Sequence, residues 1–160
     1  MTQNRIANSF IGLSSQPGLG GPTYFIRNLE YNVILTPFKL QRGSIGDVAF
    51  HNTIVKSGDA FGIYTSDVFS RQFFRNNVFI GGPGGTFGGY QNGNGDVMNL
   101  ESADPSGDYD YDGYASLDGS FNGQFGSASF SSLAEMMALT SEKHGVQLDL
   151  ASSSCTPRSE

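Results

Sequence analysis

Cysteine is nearly missing from this sequence. The single Cys155 lies in a polar C-terminal stretch, so no intrachain disulfide can form and thiol usage does not reveal the redox compartment. No apolar run approaches the roughly 20 residues needed to span a bilayer, which argues against a membrane partner. The opening segment, MTQNRIANSF, has neither the apolar stretch nor the cleavage pattern of a signal peptide; if the natural protein is secreted, its leader lies outside this chain. An excess of basic side chains is also missing. The formal net charge is −6, whereas neutralising phosphates requires clustered Lys and Arg, so nucleic acid is excluded as a partner. Hydrophobic residues make up only 38% of 160 residues, which leaves room for architectures other than a two-layer globular core.

What is abundant is glycine, with 22 residues, and phenylalanine, with 13. Glycine weakens helices, and aromatic side chains suit a pleated, half-buried surface, so the composition favours strands and turns. Charge is distributed unevenly. Residues 1–75 hold seven basic and four acidic side chains, whereas the remainder holds Lys143 and Arg158 against eleven acids. Two readings follow: a surface kept soluble by late-placed acids, or an early positive cleft for an acidic polymer.

A short pattern recurs along the chain: a strand-like run, then Asn, one residue, and a large apolar residue. It appears as RIANSFIG at Asn8, LEYNVIL at Asn32, AFHNTIV at Asn52 and FRNNVFIG at Asn77, and as YDYDGYA with Asp112 in place of Asn. The residue two places on is Phe10, Ile34, Ile54, Phe79 and Tyr114, apolar in each copy. The intervals are 24, 20, 25 and 35 residues, a period that suits a solenoid whose turns bury their inner faces by stacking on one another. Leucine-rich repeats share such periods, but leucines are few and no LxxLxL frame exists. Asn tolerates left-handed backbone and its amide can bond identical neighbours above and below, so Asn8, Asn32, Asn52, Asn77 and Asp112 are expected to form a ladder at a sharp bend. The alternative is an antiparallel sandwich with Asn at hairpin turns. Favoured hairpins want Asn-Gly or Asp-Gly, whereas these residues precede Ser, Val, Thr and Val.

The 35-residue interval contains GGPGGTFGGYQNGNG (81–95), too rich in glycine for a strand and expected as an inserted loop. With Phe87 and Tyr90 it could be a lid, a saccharide-stacking flap or a surface insertion without a role. Ser132-Leu133-Ala134-Glu135 has capping-box form, and Leu133, Met136, Met137 and Leu139 recur at helical spacing. One helix is therefore expected near 132–143, with Gly145 as terminator, a short strand at 146–150 and a flexible tail at 151–160. Residues 1–150 are expected to form a single domain.

Asp108, Asp110 and Asp112 open like a calcium loop, D-x-D-x-D-G, but position twelve is Gly119 instead of Glu, which excludes an EF-hand. In extended geometry the three carboxylates share one side, and a calcium ion or solvent must relieve their repulsion. His51 precedes a ladder Asn in a column that holds Tyr31 and Asn76 elsewhere, which reads as an outward-facing position. His144, beside Gly145, reads as a helix C-terminal residue near the last carbonyls.

The stretches YFIRNLEYNVILTPFKL, VAFHNTIV, FRNNVFIGG, DYDYDGY and SLAEMMALTSEKHGVQLD together resemble the right-handed parallel β-helix repeat proteins of bacteria, relatives of the pectate lyase and chondroitinase B type, over roughly residues 4–150. The resemblance implies an all-β right-handed parallel β-helix of about five to six coils, specifically the C-terminal coils of a longer, secreted parent. Its exposed first coil and edge strands then imply a homo-oligomer, by dimerisation or end-to-end stacking; a clean monomer in light scattering at high concentration would count against this. Lyases of this fold use a basic residue as base and a second cation to stabilise the developing enolate. Lys39, Arg42 and His51 are the candidates for catalysis here, although none can be matched to a lyase motif. Lys56, Arg71, Phe87 and Tyr90 are the candidates for carbohydrate contact. The expected function is a noncatalytic module that binds polysaccharide without a cofactor. The alternatives are a fragment of a polysaccharide lyase, epimerase or hydrolase, and a structural or assembly protein.

Overall fold

The computed structural model describes residues 1–15, 21–41, 44–65, 70–102, 104 and 106–150; Arg42 and the expected tail at 151–160 lie outside these residues. The fold is all-β with one short helix among the described residues. Along the chain, β1 (Arg5–Ser15) is followed by β2 (Tyr24–Ile26), β3 (Leu29–Leu40), β4 (Val48–Phe50), β5 (Thr53–Val55) and β6 (Phe61–Tyr64). Next come β7 (Phe73–Arg75), β8 (Val78–Gly81), the small strands β9 (Thr86–Phe87) and β10 (Tyr90–Gln91), and β11 (Met98–Leu100). The order closes with β12 (Asp108–Asp110), β13 (Gly113–Ser116), β14 (Gly123–Phe125), β15 (Ala128–Phe130), the helix α1 (Leu133–Leu139) and β16 (Val146–Gln147).

Strands β2, β4, β7 and β12 form a four-stranded parallel sheet. A ten-stranded sheet has two limbs that meet in β3. The first residues of β3 pair parallel with β1 and β5, and that limb continues through β8 and β13 to β16. The last residues of β3 pair parallel with β6, and that limb continues through β11 and β14, with β15 returning antiparallel. Partners stand 24 or 25 residues apart where nothing is inserted, as in Tyr24 opposite Val48 and Val48 opposite Phe73. The spacing widens where the Gly-rich stretch intervenes, as in Val78 opposite Gly113.

The bend that joins the two sheets is held by a ladder, in a register four residues from the expected one in its first two copies. The backbone N–H and Nδ2 of Asn28 both donate to Oδ1 of Asn52, at 3.0 and 2.8 Å. Asn52 donates in the same way to Asn77, and Asn77 to Asp112. Asn4 extends the ladder to the other side by donating to Asn28. Asn28, Asn52, Asn77 and Asp112 are all buried. Asn8 and Asn32, expected in this column, belong to a second, exposed pair in which Asn32 Nδ2 donates to Asn8 Oδ1 at 2.8 Å. Asn8 and Asn32 combine left-handed backbone with the stacked amide, as expected, whereas along the buried ladder the two properties are divided between neighbours. The left-handed backbone falls on the residue before each ladder rung, at Gln3, Arg27, His51, Asn76 and Tyr111, so the ladder side chain can turn inward.

Inside, aligned columns of large side chains fill the space between sheets. Phe25, Ala49, Phe74 and Tyr109 stack in register through the four-stranded sheet, while Ile54, Phe79 and Tyr114 stack through the other. Phe38 packs edge-on against Phe25, Phe61 and Phe74, and Phe61 stacks on Phe79 at 4.3 Å. Each such side chain, fully buried, stabilises the fold by roughly 1.5–3 kcal/mol. The same interior column holds Glu30 between Ile6 and Ile54, buried and with no hydrogen-bond partner for either carboxylate oxygen. Room for it exists because position 12 is glycine: a Cβ there would fall 1.8 Å from Glu30 Oε2. Burial pushes the Glu30 carboxyl up to about 8, with Lys56 acting against it.

The helix is shorter than expected, seven residues instead of the span 132–143. Ser132 caps it by accepting the Glu135 N–H, while Glu135 reaches to Ser131 instead of closing the reciprocal box. Thr140 ends it five residues before Gly145, because its own extended backbone turns the chain away and its hydroxyl donates to Met136 O. Of the expected strand at 146–150, Val146 and Gln147 pair on the edge of β13, and the Leu148 N–H still donates to the Tyr114 carbonyl.

Candidate functional site

Outward-facing residues of the β3–β6–β11 limb and the stretch 91–93 enclose a groove of about 400 Å³, within the range typical of small-ligand pockets. Strand alternation turns Phe38, Phe61 and Met98 inward, so Lys39, Gly62 and Asn99 face the other way. Tyr64 sits opposite Lys39 and is exposed, with Lys39 Nζ 5.8 Å from the centre of its ring. Thr36 and Gly62 form the quiet part of the floor, since the Thr36 hydroxyl is already spent on the Phe38 and Gly62 carbonyls.

The wall comes from the Gly-rich stretch, which contains a two-stranded hairpin where only a loop was expected. β9 and β10 pair antiparallel, Phe87 opposite Tyr90, around a two-residue turn in which Gly88 and Gly89 both have positive φ. The tip rests on the first strand through an edge-on contact of Tyr90 with Phe10, ring centres 4.7 Å apart. The base is fastened more firmly. Asp59 Oδ1 accepts the backbone N–H groups of Asn94, Gly95 and Asp96, and Oδ2 accepts Asn99 Nδ2 at 2.9 Å. Asn92 is buried, accepts the Gly85 N–H and donates to the Ser57 hydroxyl. Gly93 is required here, since its φ is +98° and a Cβ would lie 2.1 Å from the Asp59 carboxylate. Gly93→Ala should therefore release the hairpin base at a cost of about 1–3 kcal/mol. Hydrogen exchange at Asn94, Gly95 and Asp96 would report it; unchanged protection there would show that Asp59 is not the anchor.

Of the other expected site residues, Lys56 is not a surface contact. It is buried, with Nζ donating to the Ser57 and Asp59 carbonyls at 2.8 Å each. Burial pulls its ammonium down to about 8, against the pull of Asp59 and Glu30. His51 is exposed at the left-handed bend between β4 and β5, its ring against Phe50 and away from the groove. Arg71 is exposed outside the groove, its backbone N–H donating to Asp104. Phe87 and Tyr90 lie exposed on the hairpin tip.

Asp108, Asp110 and Asp112 are not brought together. Asp108 holds Arg75 at 2.8 Å, Asp110 takes the backbone N–H groups of Tyr111, Lys143 and His144 together with the His144 ring, and Asp112 ends the ladder. The positive φ at Tyr111 breaks the alternation that would have aligned the three. No cluster of acidic, His or Cys side chains suited to a metal occurs among the described residues. His144 lies past the helix, stacked on Tyr111 at 4.3 Å; Lys143 is the residue that donates to the last helical carbonyls. Burial opposes ionisation of Asp110, but its hydrogen bonds from His144 and Lys143 outweigh this and hold it well below the usual carboxylate range.

Tyr64, Asp59, Gln91, Asn99 and Glu101 were not singled out in the sequence. The QNGNGD run (91–96), a string of backbone donors with little side-chain bulk, was the one visible hint of an acceptor such as Asp59. No family model, curated protein or solved structure matches the chain.

Proposed function

We propose that the chain is a right-handed parallel β-helix module that binds polysaccharide, without turnover, in the groove beside the hairpin. Parallel pairing at intervals of 24 or 25 residues supports the coiled path, and crossovers between parallel strands are right-handed in about 98% of cases. The observation that carries the functional reading is the exposed Tyr64 ring set among Asn99, Gln91, Thr65, Ser102 and Glu101 in one groove. An aromatic face stacks on the C–H surface of a sugar ring, and amide, hydroxyl and carboxylate groups around it bond the hydroxyls. The noncatalytic reading draws on the carboxylates: both oxygens of Asp59 are taken by hydrogen bonds, so it is not poised as partner to Glu101 in the pair that glycoside hydrolysis uses.

Affinity electrophoresis against a panel of soluble glycans tests the reading. At least one should retard the protein, and Tyr64→Ala should weaken that binding by about tenfold or more, the usual loss on truncating an aromatic anchor. Release of an ultraviolet-absorbing unsaturated product would overturn the noncatalytic role, and an unaffected Tyr64→Ala variant would move the site elsewhere.

A further inference from the structure

We infer that the groove selects an uncharged glycan and rejects polyuronates; this rests on the proposal that the groove binds saccharide. Both charged residues in the described lining, Asp59 and Glu101, are acids. Asp59 is fully engaged by three backbone N–H groups and Asn99, and the buried Lys56 ammonium sits against its backbone carbonyl. Its carboxylate is therefore occupied and its charge is offset from below. Glu101 is exposed, and its carboxylate can accept from a ligand. Asn99 gives one N–H of its Nδ2 to Asp59, which leaves its Oδ1 and its second N–H for a ligand.

The described lining thus joins neutral amides and hydroxyls to one exposed carboxylate, Glu101, and includes no cation. A sugar hydroxyl can donate to a carboxylate or an amide oxygen, and hydrogen bonds to a charged acceptor are the stronger kind. A uronate carboxylate has no proton to donate at neutral pH and would meet Glu101 as a like charge. Of the described cations near the groove, Lys56 is buried beneath Asp59, and Lys39 has its Nζ 5.8 Å from the centre of the Tyr64 ring. Tyr64, Ile63 and Leu35 supply the apolar surface that an uncharged pyranose needs.

The test compares three ligand classes by isothermal titration at low salt: uncharged chains (barley β-glucan, galactomannan, dextran), polyuronates (pectate, alginate) and chitosan oligosaccharides. At least one uncharged chain should bind about tenfold or more tightly than either polyuronate, and Glu101→Gln should weaken that binding about three- to tenfold through loss of a charge-assisted acceptor. Tighter binding of pectate or alginate would overturn the charge selection while leaving saccharide binding intact, as would binding confined to chitosan. Binding to none of the three classes would overturn both proposals. Circular dichroism of the Glu101→Gln variant, at an exposed position, separates a lost contact from a lost fold.

Discussion

Asn52→Ala is expected to destabilise the protein by about 3–5 kcal/mol, because one truncation breaks four buried hydrogen bonds. The Asn52 side chain accepts the N–H and Nδ2 of Asn28 and donates to the Phe25 carbonyl and to Asn77 Oδ1. With only 1% of the residue exposed, no water can replace these bonds without opening the bend. For a chain of this size the loss corresponds to a fall in Tm of about 6–20 °C, a large part of the usual 5–15 kcal/mol of total stability. Asn8→Gly is the control, since the backbone there has φ of +55°, which glycine tolerates. Its amide makes one exposed bond to Asn32, so it should cost under about 1 kcal/mol. Equal melting losses for the two variants would show that the ladder does not run through Asn52.

That contrast also shows where the sequence was legible. The rungs at Asn52, Asn77 and Asp112 carry an apolar residue two places on, and these columns emerge from sequence alone. At Asn28 the same place holds Glu30, so the true rung looked wrong, while Asn32, followed two places later by Ile34, looked right. A second stacked asparagine pair four residues along offered the same local pattern, and only the parallel register separates the two columns. The all-β class, the helix near the end and the break at the Gly-rich stretch follow from composition and periodicity, which are local properties. The groove does not. Asp59 is fastened by backbone groups 35 to 37 residues later, and Tyr64 becomes part of a site only because Lys39 and Asn99 arrive beside it from other passes of the chain. Lys56 illustrates the same limit from the other side: a lysine read as surface charge is drawn inside by two carbonyls.

Stability is expected to fall as pH rises from about 4.5 to about 8, the reverse of ordinary acid denaturation. Three buried carboxyl groups, Glu30, Asp112 and Glu142, each have an oxygen without a partner, and burial raises the pKa of all three. Glu142 is pushed up to about 7, helped by the neighbouring Asp110, and Glu30 to about 8. Below the ordinary carboxylate pKa both folded and unfolded chains hold these protons, and the contribution is complete. Above it the unfolded chain releases them while the fold retains them, so stability drains away until the folded pKa is passed. Lys56 works in the opposite sense, its lowered pKa adding stability only as pH climbs from about 8 towards 10.5. Asp112 gives the sharpest test. Successive ladder amides donate to the carbonyls of Met1, Phe25 and Ala49, and in that register the Phe74 carbonyl is the next acceptor, a role that Asp112 can fill only with a proton. Asp112→Asn supplies a permanent donor and should stabilise the protein at pH 8 by about 1–3 kcal/mol while changing little at pH 4.5. Glu142→Gln, which keeps the Tyr114 hydroxyl bonded through its amide oxygen, should likewise flatten the profile above pH 5. Urea unfolding at pH 4.5, 6 and 8 measures all three proteins, and a wild-type midpoint that holds steady or rises across that range would mean that these carboxyls are ionised in the fold.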